Sequence, residues 1–145
     1  MRRRPVVLAA VSPAALAAVR TLLGDQFELV VVHSLDRALN RLARGRIDLI
    51  LAGLHFDDSL LPALLEAVKR DPSIRDVPVV CGRFLPTVLK PASVRTASEV
   101  SRLLGAEAFI DVWELEQREG RRAAAQSLRN ALLGTLRRTQ SDCDA

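Results

Sequence analysis

Two adjacent carboxylates, Asp57 and Asp58, stand just past the apolar run Ile47–Leu54 in the stretch DLILAGLHFDDS. Paired carboxylates can supply hard oxygen ligands for a divalent cation, or an acid and a base for proton transfer. Here they lack company, because the segment Met1–Gly24 contains no acidic residue. The simpler role is structural, with one of them capping the helix that follows and the other solvated. His33 and His55 also follow apolar runs, where an imidazole could act as a base or a ligand. Without a spaced partner such as His-x-x-x-His, they read as surface or loop residues. Cys81 lies in a strand-like run and reads as a small core residue. The chain has no glycine-rich dinucleotide fingerprint, phosphate loop or nucleophile elbow, so nucleotide-binding and hydrolase chemistry lack their motifs.

The elements that must position these groups follow from apolar periodicity. Pro5–Val11 is a continuous apolar run, as expected of a strand covered on both faces. Ser12-Pro13 then caps and opens a helix carrying Leu16, Val19, Leu22 and Leu23 on one face, stopped by Gly24. Phe27–Val32 is a second strand, and Ser34 caps a helix with Leu35, Ala38, Leu39 and Leu42 inward, ended by Gly45. Ile47–Leu54 is the third strand. Asp57 or Asp58 caps the third helix, with Leu61, Leu64, Leu65 and Val68 inward and Asp71-Pro72 at its exit. Val77–Cys81 is the fourth strand, and a helix starting at Ser93 or Ser98 runs to Leu104-Gly105. Ala108–Val112 is the fifth strand. A last helix runs from Glu114 or Gln117 to Leu136, with Ala124, Leu128, Ala131, Leu132 and Leu136 inward. Residues 1–138 form one domain, and Thr139–Ala145 reads as a polar, disordered tail. Strand–helix alternation with right-handed crossovers predicts an α/β fold: a doubly wound parallel sheet with helices on both faces.

Composition narrows the class further. At 145 residues, 49% of them apolar, the chain is one domain with a real core. Its single Trp, four Phe and absent Tyr leave few rings on which single-stranded nucleic acid could stack. The net charge of +4 comes mainly from Arg and reads as a solvated basic face. The alternatives are attraction to an acidic partner or to a polyanion, but no helix-turn-helix or finger spacing appears. Two cysteines make no disulfide framework, so a reducing cytoplasm fits best. The start, MRRRPVVLAAVSPAALAAV, has the look of a signal peptide, yet the same residues make a good strand and helix start. The longest apolar run, about eight residues, is too short to span a membrane.

From Arg4 to about Leu136 the chain resembles the receiver domains of two-component response regulators. The most specific piece is LLEAVKRDPSIRDVPVV, Leu64–Val80, which is similar to the family's third helix, its Asp-Pro exit and its lead-in to strand four. DLILAGL and GAEAFIDV resemble the family's third and fifth strands. The resemblance implies a flavodoxin-like sheet of five strands in the order 2-1-3-4-5 with five helices. It also assigns roles that these residues cannot fill. The acidic pair that holds Mg²⁺ falls on Ala10 and Val11, and the phosphoryl-accepting Asp falls on Gly53. The hydroxyl residue ending strand four falls on Arg83, the lysine ending strand five on Val112, and the following proline on Trp113. The reading is a pseudo-receiver without phosphorylation chemistry, with no metal and no cofactor expected, Mg²⁺ included.

The same alignment brings Arg83 to the strand ends beside Asp57, Asp58 and Asp111, as an ion pair filling the vacated pocket or as a reader of an anionic ligand. The stretch Phe84–Ala97 is about seven residues longer than the family's usual link and carries Leu85, Val88 and Leu89. With Trp113 these residues make a candidate interaction surface on the face of the fourth helix, fifth strand and fifth helix. The expected function is therefore non-enzymatic and phosphorylation-independent: a cytoplasmic signalling module acting on a protein partner or as a homodimer. The alternatives are a small-anion sensor built on Arg83, or a nucleic-acid-associated regulator using Arg121, Arg122, Arg129, Arg137 and Arg138.

Overall fold

Val6–Ala10 (β1), Glu28–Val32 (β2), Leu49–Gly53 (β3), Val79–Arg83 (β4) and Ala108–Asp111 (β5) pair in parallel in the order β2-β1-β3-β4-β5. The computed structural model describes residues 3–86 and 90–144, with backbone alone for 141–144. The helices among them are Leu16–Leu23 (α1), Leu35–Ala43 (α2), Leu61–Arg70 (α3), Pro91–Leu103 (α4), Val112–Glu119 (α5) and Arg121–Asp144 (α6). A single 3-10 turn, Pro13–Ala15, leads into α1. The topology is the flavodoxin-like one expected, and among the described residues no helix is long and apolar enough to cross a membrane.

Unbroken apolar runs became the strands covered on both faces. All five residues of β1, of β3 and of β4 are buried, whereas the edge strands β2 and β5 are only partly covered. The run after the basic start is thus a central strand. Side-chain alternation sends Val6, Leu8 and Ala10 to one layer with Leu42, Leu64 and Val68 of α2 and α3. It sends Val7, Ala9 and Val11 to the other, with Val19, Leu128 and Leu132 of α1 and α6.

Several boundaries differ from the sequence expectation. Neither Asp57 nor Asp58 caps α3, whose N-cap is Leu60 without a side-chain hydrogen bond. Instead Asp57 Oδ2 accepts the backbone N–H of Leu35 at 2.8 Å, adding to the Ser34 cap of α2. Helix α4 begins at Pro91, earlier than Ser93 or Ser98, because a proline in the first turn needs no N–H partner. The link that seemed long is therefore only Phe84–Lys90. The last helix is divided by Gly120, whose φ of 92° suits the left-handed stop at the end of α5. Finally, α6 continues through Asp144, so Thr139–Asp144 is helical rather than an irregular tail. Extending a helix already docked through Leu128 and Leu132 adds one bond per residue without a new nucleation step.

Cys81 is fully buried in β4, as a core residue should be. Burial pushes its thiol from 9.0 up to about 12, partly offset by a hydrogen bond with Ser101 of α4. In a Cys143→Ser background, Ellman's reagent at pH 8 should find no reactive thiol until denaturant is added. Both states keep the proton below about pH 9, so the thiol then adds no pH dependence. Between pH 9 and about 12 only the unfolded chain releases it, so this group lowers stability by up to about 1.4 kcal/mol per pH unit. Native labelling at pH 8 as fast as unfolded labelling would contradict the packing.

Candidate functional site

In an open parallel sheet the ordinary ligand cleft lies beyond the carboxyl ends of the strands, where the winding reverses between β1 and β3. Ala10 ends β1 and Val11 follows it, and both are completely buried. Gly53 ends β3 and pairs in register with Gly82 of β4. Over these two neighbouring glycines lies the ring of Phe84. A Cβ built on Gly53 would stand 3.4 Å from Val11 Cγ1 and 3.7 Å from Phe84 Cδ2. A Cβ on Gly82 would stand 2.8 Å from the Ile110 carbonyl oxygen and 3.2 Å from Phe84 Cζ. Gly82 is needed because a Cβ there would meet the Ile110 carbonyl, whereas at Gly53 a Cβ fits and the Phe84 ring limits what could lie beyond it. Phe84 itself is only 7% exposed.

The space left among Ser12, Gly53, His55 and Phe84 is about 10 Å³. That is roughly the room of one water molecule. Ala10, Val11 and Gly53 offer no side-chain oxygen, and a hydrated Mg²⁺ with a phosphoryl group needs several oxygen ligands and far more room. These residues do not fit that group. Val112, buried at the first position of α5, brings no ammonium to the site either. No cluster of three or more His, Cys, Asp or Glu suited to a metal occurs among the described residues.

Arg83 ends β4 one strand further along, with Asp111 of β5 as its register partner. The guanidinium donates from Nε to Asp111 Oδ1 at 2.8 Å and from Nη2 to Oδ2 at 2.6 Å, the forked geometry that arginine favours with carboxylates. Its carbon also lies 5.0 Å from the centroid of the Trp113 ring. Asp111 does a second job: Oδ1 accepts the backbone N–H of Glu114 at 3.2 Å and so caps α5. The four residues expected to converge are therefore split. Arg83 and Asp111 meet, while Asp57 serves α2 and Asp58 is exposed, each in left-handed backbone with φ of 44° and 53°. Phe84, rather than Arg83, covers the ends of β3 and β4 at Gly53 and Gly82. An incoming anion would also find Asp111 already on the guanidinium.

Around this pair the molecule opens. A cavity of about 570 Å³ is lined by Arg83, Val94, Arg95, Phe109, Trp113 and Glu114, among others. Trp113 is half-buried and also lines a groove of about 370 Å³ along α1, together with Leu85. Leu85, named above as part of the candidate interaction surface, is half-buried against the core beside Phe84. Val88 and Leu89 lie outside the described residues. His33 donates from Nδ1–H to the Val11 carbonyl oxygen at 2.8 Å and is a structural tie between the ends of β1 and β2. His55 is half-buried, with Nε2 shielded and unbonded among the described residues.

Neither the known protein-family models nor the curated proteins contain a match to this sequence. Solved structures do match. The chain is similar to a phosphorylated cyanobacterial phytochrome response regulator, RcpA, at 17% identity and TM-score 0.68, covering 89% of this chain and 91% of that one. It is also similar to the signal receiver domain of an HD-domain-containing protein from Pseudomonas fluorescens, at 18% identity and TM-score 0.70, covering 99% and 95%. Its structural neighbours are receiver domains. A CheY-like receiver domain protein from Methanospirillum hungatei matches at 15% identity and TM-score 0.69, over 97% and 99% of the two chains. At such identities the receiver fold is what is shared, and roles must be argued from the residues of this chain.

Sequence reasoning placed Ala10, Val11, Gly53 and Arg83 at the strand ends, where they are found. It missed Phe84 and Gly82. Their signal was present as two glycines at the ends of neighbouring strands with a Phe close behind, but the ring's direction depends on tertiary packing.

Proposed function

We propose that the chain is a receiver-like module of two-component-type signalling that works without phosphoryl transfer, through protein–protein contact. The observation that carries this reading is the filled strand-end cleft. Val11, Gly53 and Phe84 occupy the place of an acid, an acceptor and a pocket, leaving about 10 Å³. A pseudo-receiver of this kind needs no catalytic residue and no metal. Its information lies in surface shape, and the face of α4, β5 and α5 is its contact surface. Trp113 suits that role, as a half-buried ring beside an open cavity that can anchor a partner or a second copy.

The test is incubation with Mg²⁺ and acetyl phosphate, then with beryllofluoride, followed by intact mass and by Trp113 emission. The expected result is an unchanged mass and emission that does not saturate with either reagent. Sedimentation across a concentration series, with Trp113→Ala alongside, then tests the contact surface. A phosphoryl adduct on any Asp, or a saturable beryllofluoride response, would overturn the reading.

A further inference from the structure

The cavity of about 570 Å³ between α4 and the β5–α5 junction lies outside the filled cleft, and its size falls within the range of small-molecule sites, roughly 300–1,000 Å³. Its charged lining is balanced: Arg83 and Arg95 against Asp111 and Glu114. Arg83 and Asp111 form a closed pair at its floor. Arg95 on α4 and Glu114 on α5 are exposed, and their side chains make no hydrogen bond or ion pair with any other described residue. One solvated cation and one solvated anion thus line the same cavity without pairing with each other. Val94, Phe109 and Trp113 supply its apolar wall.

This pattern selects a ligand. A plain anion meets Arg95 but is repelled by Asp111 and Glu114, and a plain cation meets the reverse. A molecule carrying both charges at separate points, on an apolar body, satisfies every group. We propose that this cavity binds an amino-acid zwitterion with a large apolar side chain. Its carboxylate faces Arg95, its ammonium faces Glu114 and Oδ2 of Asp111, and its side chain lies against Val94, Phe109 and Trp113. Among the described residues Asp111 Oδ2 accepts one bond, from Arg83, and so keeps a lone pair for the ammonium. Arg83 stays paired throughout. The proposal does not depend on whether the chain accepts a phosphoryl group.

The experiment is isothermal titration of the full chain with L-phenylalanine and L-leucine, and with 3-phenylpropionate and 2-phenylethylamine, which each keep one charge. At least one amino acid should bind one per chain, with each single-charge analogue weaker than phenylalanine by about tenfold or more. Arg95→Ala and Glu114→Ala, both at exposed positions, should each weaken the amino acid by about tenfold. Arg95→Ala should leave phenylethylamine unchanged, a pattern that loss of folding would not produce. No saturable binding of either amino acid up to about 10 mM would overturn the proposal. So would analogues that bind as tightly as phenylalanine, or amino-acid affinity unchanged in both variants.

Discussion

Asp111→Ala is expected to lower the stability of the chain by about 3 kcal/mol through the ion pair alone, because it removes the carboxylate that offsets the desolvation of Arg83. The Arg83 side chain is 8% exposed and that of Asp111 17%, so water cannot replace the lost carboxylate fully. Removing one member of such a pair costs far more than the pair contributes, since the desolvation of the survivor is no longer offset. The same substitution removes the cap of α5, a further ~1 kcal/mol. With about 4 kcal/mol lost in all, the melting temperature of a domain of this size should fall by roughly 8–16 °C. Asp111→Asn separates the two effects. Its amide oxygen can still accept the Glu114 N–H, but it leaves Arg83 facing a neutral group. Arg83→Met with Asp111→Leu should be milder than Asp111→Ala, because apolar replacement removes both charges together, although the guanidinium contact with Trp113 is lost. Urea unfolding of the parent, the singles and the double variant closes the cycle. If Asp111→Asn and Asp111→Ala both stay within about 1 kcal/mol of the parent, the pair is not structural.

The same pair explains where the sequence was legible and where it was not. Apolar runs covered on both faces cannot be confused with amphipathic helices, so β1, β3 and the helical faces could be read directly. The end of β4 could be placed only through the family resemblance. Gly82 and Arg83 look like a turn when read locally, because glycine lacks strand propensity and arginine is rarely buried. Both belong to the strand for non-local reasons. Gly82 lies under the Phe84 ring against the Ile110 carbonyl, and Arg83 finds its countercharge directly across the ladder. The Asp57 cap followed the same rule. A carboxylate three to four residues before a helix suggests a cap for that helix, but the left-handed turn at Asp57–Ser59 carries it to α2 instead. The candidate site was legible as a set of missing groups, from the family resemblance. What fills the space was not, since that depends on which way one ring turns.

That ring makes a prediction about restoring chemistry. Gly53→Asp on its own should not create a phosphoryl acceptor. The new Cβ is tolerable, as its nearest contact, Val11 Cγ1, is 3.4 Å away, so Gly53→Ala should cost no more than about 1 kcal/mol. The carboxylate beyond that Cβ meets Val11 and the Phe84 ring, with no lysine or arginine among the described residues lining the space and room for about one water. Burying an unpaired carboxylate there should cost at least ~3 kcal/mol, or force the acid to stay protonated and inert. Phe84→Ala should itself cost about 3 kcal/mol, through the cavity left above Gly53 and Gly82. The two changes should not add. With the ring gone, water enters the cleft and hydrates the carboxylate, so the penalty for Gly53→Asp should shrink by about 1 kcal/mol or more in the Phe84→Ala background. Denaturant unfolding of the four proteins measures that coupling, and acetyl phosphate with Mg²⁺, read by intact mass, measures acceptance. Strict additivity would mean that Phe84 does not shape the cleft. Modification of Gly53→Asp with Phe84 in place would mean that the ring moves aside easily, and that the filled volume does not by itself bar phosphoryl transfer.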